Sequence, residues 1–164
     1  MITAAVVTFH TSRKDLIRLI DCVLHSSIDK FFIIDNSTND ALREFESTSE
    51  RITYIYSDNL GFGSGHNVAI NRAMDLGCDY HIIINPDIYW DENVIEKLTQ
   101  FMNENRDCGL VSCPKYYIQM ERFSIYVNCF LLRWIYLDED SFHSRLFKKS
   151  VMHGMKCTGA DMRR

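Results

Sequence analysis

The sequence predicts an α/β domain with a mostly parallel sheet and helices on both faces. Short β-branched, apolar runs alternate with segments whose apolar residues recur at helical spacing, the pattern of right-handed βαβ units. The runs are apolar throughout, as strands covered on both faces are. Three loops rich in polar and glycine residues, Asp35-Asn36-Ser37, Asp58 to Asn67 and Asn85-Pro86-Asp87, each follow a predicted strand. Open α/β sheets bind ligands at that edge.

Taken in order, Ile2 to Phe9 reads as the first buried strand. Thr11 or Ser12 can cap the helix that follows, with Leu16, Ile17, Leu19, Ile20, Val23 and Leu24 as its stripe. Phe31 to Ile34 is a second strand ending at Asp35, and Thr38 to Ser47 a short helix with Leu42 and Phe45 inward. Ile52 to Tyr56 is a third strand. A helix from Ser64 to Leu76 places Val68, Ile70, Ala73 and Met74 inward and stops at Gly77. Tyr80 to Ile84 is a fourth strand. Asp91 caps a helix to about Asn105, with Val94, Ile95, Leu98, Phe101 and Met102 as its apolar face, and Leu110 to Cys113 is a fifth strand. After Pro114 the periodicity is lost, and Lys115 to Lys149 reads only as mixed strand and loop.

A chain of 164 residues suits one domain with a real core. Its 46% hydrophobic and 24% charged residues exclude wholesale disorder. A formal net charge of -4 argues against nucleic acid as a partner. Arg145, Lys148, Lys149 and the final Arg163-Arg164 read as solvated surface before they read as membrane-attracting. The six cysteines form no C-x-x-C pair, and no signal peptide opens the chain, so reduced thiols in a cytoplasmic protein are expected. No apolar run is long enough to span a bilayer. Phe123 to Leu137 comes nearest, interrupted by Asn128 and Arg133, and reads as core or interface.

The stretch Asp58-Asn59-Leu60-Gly61-Phe62-Gly63-Ser64-Gly65-His66-Asn67 joins a strand to a helix through three alternate glycines. Glycine allows φ > 0 and close approach to a ligand. The helix N-terminus behind it suits an anion; a ligand-free turn is the other reading. Asp35 and Asn36 can hydrogen-bond a base edge or ribose hydroxyls, or simply form an Asx turn. Asn85 and Asp87 flank a proline that fixes their directions, and Asp87 offers hard oxygens for Mg²⁺ or Mn²⁺ shared with substrate phosphates. His66 can donate to a phosphate oxygen or be structural. His10 follows the first strand, where backbone groups can meet a base. His25, His81, His143 and His153 have no metal-like spacing, and Asp138-Glu139-Asp140 reads as a solvated acidic loop. A dinucleotide fingerprint would need glycine where His66 stands, and no Gly-Lys-Ser/Thr follows for a Walker loop.

Together Val6-Val7-Thr8-Phe9-His10, Ile33 to Ser37, Asn59 to Asn67 and Ile84-Asn85-Pro86-Asp87 resemble, in order, the motifs of family 2 glycosyltransferases, over residues 2–113. The look is that of the bacterial rhamnosyltransferase-like branch. The resemblance implies a GT-A fold in one domain over 1–164, with 1–113 the nucleotide-sugar-binding half and 114–164 the start of an acceptor-side half. It implies that Thr8, Phe9, His10 and Asp35 hold the base, with Asn36 among the nucleotide-sugar-binding residues. Asn59, Gly61, Phe62, Gly63, Gly65, His66 and Asn67 would lie along the nucleotide sugar, and Asn85 and Asp87 would stand at the Asp-x-Asp position. Asp87 is then the ligand of Mg²⁺ or Mn²⁺, while Asn85 replaces the first acidic residue. Lys156 to Arg164 resembles the start of the family's Gly-Ala segment, so the catalytic base is expected beyond Arg164 and the chain is expected to be C-terminally incomplete.

The implied function is inverting transfer from a dTDP- or UDP-linked sugar to a saccharide or lipid-linked acceptor, in bacterial cell-surface polysaccharide synthesis. The place is the cytoplasm or the inner face of the membrane. Self-association through apolar surface left by a missing half is a further expectation. Two alternatives stand: a non-catalytic nucleotide- or partner-binding module, and a nucleotidyltransferase. The latter would want a basic glycine-rich loop near the first strand, and His10-Thr11-Ser12-Arg13-Lys14 has no glycine.

Overall fold

The computed structural model of the chain describes residues 1–90, 93–112 and 129–133. Its strands are β1 (Ile2–Thr8), β2 (Lys30–Asp35), β3 (Ile52–Tyr56), β4 (Tyr80–Ile84), β5 (Leu110–Ser112) and β6 (Cys129–Arg133). Helices α1 (Arg13–Leu24), α2 (Phe62–Asp75) and α3 (Val94–Glu104) lie between them. All six strands form one sheet in the order β3-β2-β1-β4-β6-β5. The first four are mutually parallel, with Thr8 beside Asp35 and Val6 beside Ile84. Among the described strands, β6 runs antiparallel to both β4 and β5. The expected mostly parallel sheet with helices on both faces is the observed one.

The two faces follow from the side-chain alternation of β1. Ala4 and Val6 pack with Leu16, Leu19, Ile20 and Val23 of α1 and with Ile95, Leu98 and Met102 of α3. Ala5 and Val7 point the other way, onto Ala69 and Ala73 of α2. Each helix is held chiefly by this one buried stripe. A second device holds the end of α1. Arg51, just before β3, donates to the carbonyls of Val23, Leu24, Ser26 and Ile28. These include carbonyls that a helix C-terminus leaves without intrahelical partners.

Several local expectations are corrected. Ile17 and Met74 are about half exposed, because buried positions cluster at Leu16, Leu19, Ile20 and Val23 in α1 and at Gly65, His66, Ala69, Ile70 and Ala73 in α2. The segment after β2 is a 3-10 helix at Arg43–Thr48, preceded by Leu42; Leu42 and Phe45 are buried as expected. Ser12 sits at the α1 N-cap without a side-chain cap bond. Asp91 lies outside the described residues, and Asn93 at φ 71° precedes α3. Within the stretch 115–149, where the sequence predicts only mixed strand and loop, residues 129–133 form the strand beside β4. Cys113, Pro114, Asp138 to Asp140, His143, His153, the basic cluster and Lys156 to Arg164 lie outside the described residues. No helix of the described residues is long and apolar enough to cross a membrane.

Candidate functional site

The four parallel strands all end at one edge, so the loops after β1, β2, β3 and β4 meet there. The chain runs outward from β1 to β2 and β3, then returns to place β4 on the other side of β1. The crevice at that reversal is where open α/β sheets take ligands. It is flanked by Phe9–Thr11 on one side and Asn85–Asp87 on the other.

The loop ends are tied together. The Asn36 N–H donates to the Thr8 carbonyl at 2.9 Å, and the Ser57 N–H to the Asp35 carbonyl at 3.0 Å. Asp35 is wholly buried, with a relative exposure of 0%. Its Oδ1 accepts from Thr8 Oγ1 at 3.0 Å and from the Ser37 N–H at 3.1 Å, which is the Asx turn. Its Oδ2 accepts from the Tyr54 phenol at 2.7 Å. Burial, and the carboxylate it donates to, push the Tyr54 phenol above its usual value. No motif in the sequence marks Tyr54 as a site residue. The available signal was chemical: a tyrosine in a buried strand needs a partner for its hydroxyl.

Of the three alternate glycines, only Gly61 has positive φ, at 94°; α2 begins at Phe62, two residues earlier than expected, and takes Gly63 and Gly65 into its first turn. Gly65 is required for space instead. A Cβ there would stand 2.7 and 2.9 Å from the two methyls of Val7 and 3.4 Å from Asn36 Nδ2. The first turn of α2 therefore lies directly on the end of β1. Gly61 offers no side-chain cap, so the opening N–H groups of α2 face the ligand edge without one. Asn59 Oδ1 accepts the Gly61 N–H at 3.2 Å and shapes the turn. Leu60 and Phe62 are 76% and 50% exposed, and Phe9 54%.

His66 is buried rather than presented to solvent. Its ring packs T-shaped against that of Phe62 with centroids 4.4 Å apart, and among the described residues neither ring nitrogen has a partner. Burial pushes its pKa down to about 4. Asn36 is buried too, with Oδ1 unpaired among the described residues. His10 adopts φ 49° and donates its N–H to Ser37 Oγ at 2.9 Å; its ring lies 4.5 Å from that of Phe9. Asn67 is half-buried on α2. Asn85 is half-buried at the end of β4, and Asp87 is exposed in the following turn.

A family model described as glycosyl transferase family 2 matches residues 4–160. The chain belongs to that family. No curated protein sequence matches this family 2 chain. Among solved structures it is similar to the mannosyltransferase PcManGT from Pyrobaculum calidifontis, in complex with GDP-Man and Mn²⁺. The identity is 18%, the TM-score 0.60, and the match covers 70% of this chain and 35% of that one. It is similar to S. aureus TarS 1-349 at 16% identity and TM-score 0.58, over 92% of this chain and 54% of that one. A 4-diphosphocytidyl-2C-methyl-D-erythritol synthase reaches TM-score 0.60 at 6% identity, covering 80% of this chain and 74% of that one. At these identities the likeness shows the fold. The family 2 chain spans about a third of the PcManGT chain and about half of the TarS chain.

Proposed function

We propose that this chain forms the donor side of a transferase that moves a sugar from a nucleoside-diphosphate sugar to an acceptor hydroxyl, with inversion. One observation carries the reading. The exposed carboxylate of Asp87 stands across the strand-order reversal from the Thr8–His10 loop, with the uncapped start of α2 packed on the end of β1. Base and ribose fit the loops after β1 and β2, near Thr8, Phe9, His10 and Asn36. The diphosphate and sugar fit between the glycine loop, Asn59 to Asn67, and Asn85–Asp87.

Asp87 makes no hydrogen bond or ion pair among the described residues. Its oxygens, with the Asn85 amide two residues earlier, are hard donors of the kind Mg²⁺ and Mn²⁺ take. No group of three or more His, Cys, Asp or Glu side chains converges among the described residues. Asp87 and Asn85 suit an ion that shares its coordination with phosphates and water. Such an ion, when bound, supplies charge neutralisation to the leaving diphosphate. The backbone N–H groups at the start of α2 add fixed dipoles of the same sense. The finer reading follows the resemblance: the rhamnosyltransferase-like branch, a dTDP- or UDP-linked donor, a saccharide or lipid-linked acceptor, and a part in cell-surface polysaccharide synthesis.

Asp87→Ala tests the reading. Because the side chain is exposed and unpaired, its loss should leave thermal stability unchanged. Mn²⁺ should then no longer strengthen nucleoside-diphosphate binding in calorimetry. Metal-dependent binding equal to that of the unmodified chain would remove Asp87 from the site.

A further inference from the structure

Asp35 is the most heavily bonded side chain at the ligand edge. Three donors occupy its carboxylate, the Thr8 hydroxyl, the Ser37 N–H and the Tyr54 phenol, leaving about one of its four lone-pair directions free. They come from β1, from the loop after β2 and from β3. Ser37 extends the tie, because its Oγ accepts the His10 N–H at 2.9 Å. His10 holds φ 49°, a conformation a non-glycine residue keeps only where its surroundings impose it. Tyr54 is braced from outside. The Arg43 guanidinium sits 5.1 Å above its ring and is held by Asp40 at 2.9 Å. A chain of contacts thus runs from the 3-10 helix surface to the loop after β1.

We propose that Asp35 and Tyr54 are a positioning pair, which sets the loops after β1 and β2 for the donor while Asp35 itself does not touch it. The inference rests on the donor-site reading above and departs from the resemblance, under which Asp35 holds the base. A carboxylate in contact with the base would discriminate, accepting the N3–H of uracil or thymine and repelling the N3 lone pair of cytosine. A carboxylate that only positions loops affects every nucleotide alike.

The test compares the unmodified chain with Asp35→Asn, Tyr54→Phe and the double variant. Asn keeps the shape at 35 and Phe keeps the ring at 54. Calorimetric affinities for UDP, dTDP, GDP and CDP are measured with Mn²⁺, well below each variant's melting temperature. Exchange of the Ser37 and His10 amides is followed in parallel. Each single variant should weaken every nucleotide that binds by the same factor, about tenfold. The order of preference should not change, and the double variant should be no worse than the weaker single. Both amides should exchange faster in each variant. A reordered preference in Asp35→Asn would make Asp35 a direct contact and overturn the proposal, as would unchanged affinities or unchanged exchange. An unmodified chain that binds none of the four overturns the donor-site reading and this proposal together, whereas failure confined to the variants overturns the proposal alone.

Discussion

Two histidines sit on the α2 face of the sheet, and both are held neutral. His81 is fully buried, with Nδ1 2.8 Å from Thr3 Oγ1 and Nε2 unpaired among the described residues. Burial, with a smaller contribution from His66, pushes its pKa down to about 3; burial alone lowers His66 to about 4. Both values lie below the 6.5 or so of an unfolded histidine. The unfolded chain therefore binds more protons in acid. The stability of burying neutral rings is fully present above about pH 6.5 and is lost as pH falls from there through the folded values. By pH 5 the loss should be on the order of 2 kcal/mol for each histidine. Urea midpoints at pH 7 and pH 5 check this: the drop should shrink in His81→Leu, and an equal drop in that variant would contradict the assignment. The lack of metal-like spacing around His81 points to a structural residue, and its burial agrees. The state of His66 was not legible in residue type, because a histidine just past a glycine loop reads equally as ligand or core.

At the scale of elements, α2 is placed by Gly65. The start of the helix was misread because alternate glycines look like turn formers, whereas the need for Gly65 lies in Val7, far away in sequence. Val7 is β-branched and stiff, so it cannot swing aside from a new Cβ. Gly65→Ala should cost about 1–3 kcal/mol of overpacking, partly offset by roughly 1 kcal/mol of helix propensity. It should also shift the first turn of α2 off β1 and weaken nucleotide binding. Chemical denaturation and calorimetry on that variant read both effects; unchanged stability and affinity would show that the contact with Val7 gives way freely. The strand limits at β3 and β4 were legible to the residue, since Ile52 to Tyr56 and Tyr80 to Ile84 are bounded by polar residues and turn signals. Arg51 was not, because its partners are carbonyls around the end of α1, and carbonyls carry no sequence signature.

For the whole molecule, the alternation of apolar runs sufficed to foresee a parallel sheet covered on both faces. It did not foresee β6, because an antiparallel strand returning between β4 and β5 is chosen by long-range pairing and follows no local period. The site follows from the same topology. Four strands pointing one way deliver Thr8, Asp35, the glycine loop and Asp87 to a single edge, although these residues are spread over about half the chain. Calorimetric titration of the unmodified chain with dTDP, UDP and GDP, each with and without Mn²⁺, tests whether that edge holds a nucleoside diphosphate. One of them should bind in the micromolar range, more tightly with the metal. Binding of none, with or without Mn²⁺, would contradict it and favour a module that binds a partner rather than a nucleotide.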